Sequence, residues 1–61
     1  MKANHNGVLI DFEINYNNLI DTHDHEKHYA ALGQGEDGKA YTGLGIVIDG
    51  ELEEITEIEE A

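Results

Sequence analysis

Several residue types that build common sites are missing from this sequence. There is no cysteine, so neither a disulfide nor a thiolate metal site can support the fold. There is no serine or arginine, and only three lysines accompany fourteen acidic residues. No apolar run approaches the roughly 20 residues of a membrane span, and no charged-then-apolar signal segment opens the chain. We therefore expect a soluble, cytoplasmic protein.

The missing nucleophiles also argue against an enzyme. Catalysis by a side chain usually needs a nucleophile next to a base in a pocket. With serine and cysteine absent, the candidates are Thr22, Thr42 and Thr56, and none lies in a nucleophile motif. The sequence predicts a protein that is not an enzyme and that needs no cofactor.

The length of the chain predicts a single small acidic domain, residues 1–61. A chain this short buries only about 60% of its surface on folding, which is near the lower limit for folding alone. Small scaffolds without disulfides or metals often gain stability by oligomerising. A homodimer is therefore among the expected states.

Two segments have strand patterns. From Val8 to Tyr16, apolar and polar residues alternate with period two, as in a strand with one packed side. The stretch from Tyr29 to Gly50 is typical of a β-hairpin whose two-residue turn is Asp37-Gly38. The predicted register then pairs Tyr29 with Ile46, Ala31 with Leu44, Gly33 with Thr42, and Glu36 with Lys39.

The segment from Asn17 to Lys27 breaks this alternation. Asn17-Asn18 suits a turn, and the polar, histidine-rich stretch Asp21 to Lys27 is predicted to be a loop. The short apolar pair Leu19-Ile20 could fill one end of the core.

The C-terminal stretch ELEEITEIEE favours a helix. Leu52, Ile55 and Ile58 recur at i, i+3 and i+6, which places them on one helical stripe. A strand paired across Asp49-Gly50 would set Glu53 opposite Ile46. The predicted fold class is α+β, mostly β: a three-stranded antiparallel sheet with a short C-terminal helix packed on one face. An all-β four-stranded sheet is the alternative.

The net charge of −11 is the strongest functional signal. It argues against direct binding to nucleic acid or to anionic membranes, and it favours a basic partner. Asp11 and Glu13 lie about 6.6–7 Å apart on one side of a strand. Rows of carboxylates on rigid elements can imitate the phosphates of a nucleic acid. The predicted partner-binding residues are Asp11, Glu13, Glu36, Asp37, Tyr41, Glu53, Glu54 and Glu57, with Tyr41 as an exposed aromatic anchor.

His23, His25 and His28 are weak candidates for metal ligands. Imidazole and carboxylate groups suit zinc, nickel or copper, but the spacing matches no standard zinc site. We expect exposed histidines in a loop and no bound metal.

The opening NGVLIDFEINY, the Asp-Gly hairpin and the acidic tail ELEEITEIEE together resemble the small acidic proteins encoded by bacteriophages. That class includes inhibitors of host defence such as anti-CRISPR proteins, anti-restriction proteins and uracil-DNA glycosylase inhibitors. The resemblance is one of overall character, so no functional residues carry over. It implies a DNA-mimicking inhibitor of a basic nucleic-acid-binding protein in the host cytoplasm. The alternative is a small structural or regulatory module that dimerises or docks through Leu32, Tyr41 and Val47.

Overall fold

The computed structural model describes all 61 residues as one antiparallel sheet of five strands. The strands are β1 (Lys2–His5), β2 (Val8–His23), β3 (Glu26–Gly35), β4 (Ala40–Ile48) and β5 (Glu51–Glu60). Each strand pairs with the next one along the chain, so the sheet is a meander with β1 and β5 at its edges. The strands and turns include no helix, hence none long and apolar enough to cross a membrane.

Tight turns join the strands. Asn6-Gly7 and Asp49-Gly50 each have two residues at positive φ, 51° and 81° in the first and 51° and 83° in the second. This is the conformation of a two-residue turn whose twist matches that of the flanking strands. Asp24, at φ 52°, begins the turn between β2 and β3.

The turn between β3 and β4 differs from the predicted one. Glu36, Asp37 and Gly38 form a three-residue loop between the hydrogen-bonded residues Gly35 and Lys39, and only Gly38 in it has positive φ, 81°. The Gly38 N–H donates to the Gly35 carbonyl at 3.0 Å, and the Gly35 N–H donates to the Lys39 carbonyl at 2.9 Å. This is the pattern of a type I turn followed by a left-handed glycine.

The extra loop residue makes the predicted register wrong by one position. Gly33 lies opposite Tyr41, and Tyr29 lies opposite Gly45. Since side chains alternate with period two, this slip moves every β4 side chain to the other face of the sheet. Lys39, predicted to face Glu36, instead lies 3.4 Å from the Glu60 carboxylate.

The main buried cluster lies on one face of the sheet, here called the inner face; Ile46, which is also buried, alternates to the other face. Ile10, Phe12, Ala31 and Tyr41 form its buried cluster, and apolar side chains of β1, β2 and β5 pack against it. Glycines on β3 and β4 leave room for these side chains. A Cβ at Gly45 would lie 2.5 Å from Ile14 Cδ1 and 3.4 Å from Leu52 Cδ1. Side chains from β2 and β5 thus both reach the space above Gly45 of β4.

The C-terminal segment is a strand, so the predicted helix is wrong. Two β-bulges in β5 explain how a spacing of three fits a strand. One extra residue lies between Leu52 and Glu54, and another between Thr56 and Glu59. Each bulge shifts the alternation by one residue. Leu52 and Ile55 therefore pair with inner-face residues of β4, and Ile58 packs against the buried cluster. The fold class is all-β with five strands, closer to the four-stranded alternative than to the α+β prediction.

The second half of β2 also differs from the prediction. The expected loop from Asp21 to Lys27 consists of the end of β2, the turn at Asp24 and the start of β3. The pairing of β2 with β3 is interrupted between Ile14 and Leu19 and again between Leu19 and Asp21. Leu19 and Ile20 are 48% and 54% exposed, so they do not fill an end of the core.

Glu57 in the second β5 bulge has a φ of 49°, in the left-handed region that disfavours side chains with a Cβ. We expect Glu57→Gly to raise the free energy of unfolding by about 0.5–1 kcal/mol, because glycine adopts this φ without strain. Urea denaturation measures the change. Glu57→Gln loses the same charge but keeps the Cβ, and it should stay within about 0.5 kcal/mol of the wild type. Equal stability of the two variants would contradict the assignment of strain.

Candidate interaction surface

The outer face, opposite the core, brings acidic and apolar side chains into a row across four strands. Glu13 on β2 lies opposite Leu32, Leu32 opposite Thr42, and Thr42 opposite Glu59 on β5. Neighbouring strands are about 4.8 Å apart, so the backbones at Glu13 and Glu59 are separated by about 14 Å. Leu32, between them, is 66% exposed. The row thus has a carboxylate at each end, with Leu32 and Thr42 between them.

Three of the predicted carboxylates meet in a shallow trough along β2 and β3, here called the acidic trough. Its two adjoining halves share Asp11 and Gln34; Glu13 lines one half, and Lys2 and Glu36 line the other. The chain's terminal ammonium lies 3.9 Å from the Asp11 carboxylate. Positive groups therefore offset part of the charge at the Asp11 end, whereas Glu13 lies at the other end.

A second depression on the same face, here called the outer groove, has apolar residues on one side and carboxylates on the other. It is lined by Ile20, Ala30, Thr42, Gly43, Leu44, Glu57 and Glu59. The interruption in β2 and the second bulge in β5 lie at its two sides, so Ile20 and Glu57 come from irregular positions. Bulges commonly redirect side chains in this way. Thr42 connects the outer groove to the row that contains Leu32.

The remaining β5 carboxylates have a structural explanation. β5 is an edge strand with six glutamates and no lysine. Charges and bulges on an edge strand prevent it from pairing with a strand of another chain. Glu53 and Glu54 are exposed near the first bulge, away from the acidic trough. The structure thus places Glu53 and Glu54 apart from the carboxylates of the acidic trough.

Tyr41 and Asp37 form a hydrogen-bonded pair that supports the β3–β4 turn. Tyr41 is only 6% exposed, so the prediction of an exposed aromatic anchor is wrong. Its hydroxyl donates to Asp37 Oδ2 at 2.6 Å, and the Lys39 N–H donates to Asp37 Oδ1 at 3.1 Å. The bond from Tyr41 holds the pKa of Asp37 below its ordinary value. The same bond, followed by burial and the Asp37 charge, raises the pKa of Tyr41 to about 12. The pair fixes the β3–β4 turn to the core.

The raised pKa predicts how alkaline pH acts on this pair. Because the folded pKa of Tyr41 lies above the unfolded value of 10.0, the hydroxyl's contribution is fully present below pH 10. It is lost as pH rises toward 12. Tyr41→Phe should therefore be less stable than the wild type at pH 8, with a gap that narrows above pH 10. Urea denaturation of both proteins from pH 8 to 12 measures this gap, and a constant gap would contradict the assignment.

The histidines do not come together as a ligand set. No group of three or more His, Cys, Asp or Glu side chains is arranged to hold a metal ion. His25 Nδ1 lies 3.8 Å from Asp49 Oδ1, where the β2–β3 and β4–β5 turns meet. His28 Nε2 is buried, lies 3.4 Å from the Glu26 carboxylate and makes no hydrogen bond. His23 lies opposite Glu26 in the register.

Reasoning from the sequence did not select Glu59 or Ile20 as surface residues. A helix over the C-terminal segment did not place Glu59 on the sheet surface, because the position of Glu59 opposite Thr42 depends on the two bulges in β5. Ile20 was expected in the core. The adjacent apolar pair in a polar stretch was the available signal, because two neighbouring strand residues rarely point into the same core.

The chain matches no protein-family model, no curated protein and no solved structure.

Proposed function

We propose that this protein is an acidic binding protein that occupies the basic nucleic-acid-binding surface of another protein. The proposed setting is the cytoplasm of a bacterial host, where a phage-encoded inhibitor of this type would compete with DNA or RNA. The observation that carries the proposal is a charge of −11 on 61 residues, with Asp11, Glu13, Glu57 and Glu59 on one face of a single sheet.

A sheet is a suitable scaffold for imitating phosphates. Its backbone hydrogen bonds fix the spacing of the carboxylates before binding, which lowers the entropy cost of association. Residues two apart on a strand are separated by about 6.6–7 Å, close to twice the spacing of about 3.4 Å, along the helix axis, between successive phosphates of one duplex strand. Binding of a basic partner would release counterions from the two charged surfaces into solution. The net charge would also steer the partner toward this surface.

The docking module considered as the alternative loses most of its proposed contact residues. Tyr41 and Val47 are each 6% exposed, which leaves Leu32 as the exposed member of that set. Leu32 lies between Glu13 and Glu59. Its surroundings favour a partner with basic groups over a second copy of this acidic chain.

Competition with nucleic acid tests the proposal. Partners are captured from a bacterial lysate on the immobilised protein at low salt, identified and purified. A purified partner should bind DNA or RNA by itself, and added nucleic acid should displace it from this protein in a dose-dependent manner. A partner that binds this protein and nucleic acid simultaneously, with neither affinity changed, would overturn the proposal.

A further inference from the structure

The outer groove is an unpartnered apolar surface in an otherwise strongly charged protein. Ile20 is 54% exposed at its border, Leu32 is 66% exposed beside it, and Ala30 and Leu44 are half-buried within it. Contact with an apolar side chain would remove this surface from water, which is favourable in proportion to the area covered. Charge imitation alone does not account for these residues.

Two carboxylates border the same groove. Glu57 and Glu59 lie on its β5 side, and no lysine is among its lining residues. Glu57 is held at a φ of 49°, a conformation that costs free energy and that often marks a functional position. An apolar surface next to unpaired negative charge complements a segment that is itself both apolar and basic.

We propose that the outer groove binds an apolar side chain of the basic partner, while lysine or arginine residues beside that side chain pair with Glu57 and Glu59. This inference rests on the proposed function and assigns its contact surface. The occupant is a basic protein segment that carries an aliphatic residue. Specificity then comes from the apolar contact, and the speed of association comes from the charge.

Two synthetic peptides test the inference on the intact chain. One has six lysines and two central leucines; the other has six lysines and two central glycines, so their charges are equal. Titration of the ¹⁵N-labelled protein should give about tenfold tighter binding for the leucine peptide, as expected for partial burial of one aliphatic side chain. The largest chemical-shift changes should fall on Ile20, Thr42, Leu44 and the second β5 bulge, between Thr56 and Glu59.

A matched pair of variants locates the apolar contact. Ile20→Asn should abolish the preference for leucine, whereas Leu19→Asn should keep it, because Leu19 is similarly exposed but does not line the groove. Equal affinity for both peptides would overturn the inference and leave the charge proposal standing. Failure of both peptides to bind would count against both proposals. A homodimer that dissociates on Ile20→Asn would assign the groove to a second copy of this chain and would also overturn the inference.

Discussion

Phe12→Ala is expected to lower the free energy of unfolding by about 3–5 kcal/mol at 25 °C. Phe12 is 2% exposed and is the largest fully buried side chain. Truncating a buried phenylalanine to alanine costs about 3–5 kcal/mol, because the apolar burial is lost and a cavity remains. At 0.05–0.15 kcal/mol per residue, a chain of this length has a total stability of roughly 3–9 kcal/mol. The substitution thus removes from about a third to all of the stability, and it unfolds the protein where the total lies at the lower end of this range.

Circular dichroism during thermal and urea denaturation measures this loss. Leu32→Ala is the control, since Leu32 is 66% exposed and its truncation should change stability by no more than about 0.5 kcal/mol. Similar losses for the two variants would show that Phe12 does not form the centre of the core.

Gly33→Ala is expected to destabilise the protein by about 1–3 kcal/mol, the usual cost of overpacking. A Cβ at this position would lie 2.5 Å from Ile10 Cγ2 and 2.7 Å from Phe12 Cε1. Both side chains are buried, so neither can move away freely. In most strands this substitution would be favourable, because glycine is a poor strand residue.

A second substitution makes the Gly33 prediction specific. Phe12→Leu removes the ring atoms that the new methyl group would meet. Phe12→Leu should therefore lower the free energy of unfolding less in the Gly33→Ala background than it does in the wild type. Urea denaturation of the four proteins gives the coupling energy. Additive effects, or a Gly33→Ala protein as stable as the wild type, would contradict the close packing at Gly33.

The strands of the sheet could be predicted in part from the sequence, but the register could not. The alternation from Val8 to Tyr16 correctly placed Ile10 and Phe12 on one side of a strand. The Asp37-Gly38 pair correctly indicated a turn. The turn has three residues where two were predicted, and the extra residue shifts the register of β4 by one position. The sequence Asp-Gly did not reveal this, because it occurs in both two-residue and three-residue turns. The error placed Tyr41 outside the core.

The C-terminal segment shows where periodicity is ambiguous. A spacing of three between Leu52, Ile55 and Ile58 fits one helical stripe, and it also fits a strand with a bulge in each interval. Local preference favoured the helix, since glutamate and leucine are good helix formers. The open edge of β4 and the glycines beneath the β5 side chains determined the strand. Those are tertiary contacts that local preference does not include.

The candidate surface was predictable to a similar extent. Asp11 and Glu13 were placed correctly on one side of β2, because that strand is regular there. The outer groove depends on three irregular features: the break in β2 near Ile20, the bulge at Glu57 and the position of Glu59. Each follows from the register of the whole sheet, and the register was the part that the sequence pattern left open.

The salt dependence of partner binding in two double variants tests the central claim most directly. Glu57→Gln/Glu59→Gln and Glu51→Gln/Glu53→Gln each remove two acidic groups from β5, but only the first pair lines the outer groove. We predict that wild-type affinity for a purified partner falls steeply between about 50 and 300 mM salt. The Glu57/Glu59 variant should bind more weakly at low salt and show a shallower slope, while the Glu51/Glu53 variant stays close to the wild type. A flat salt dependence in the wild type, or identical behaviour of the two variants, would contradict the account.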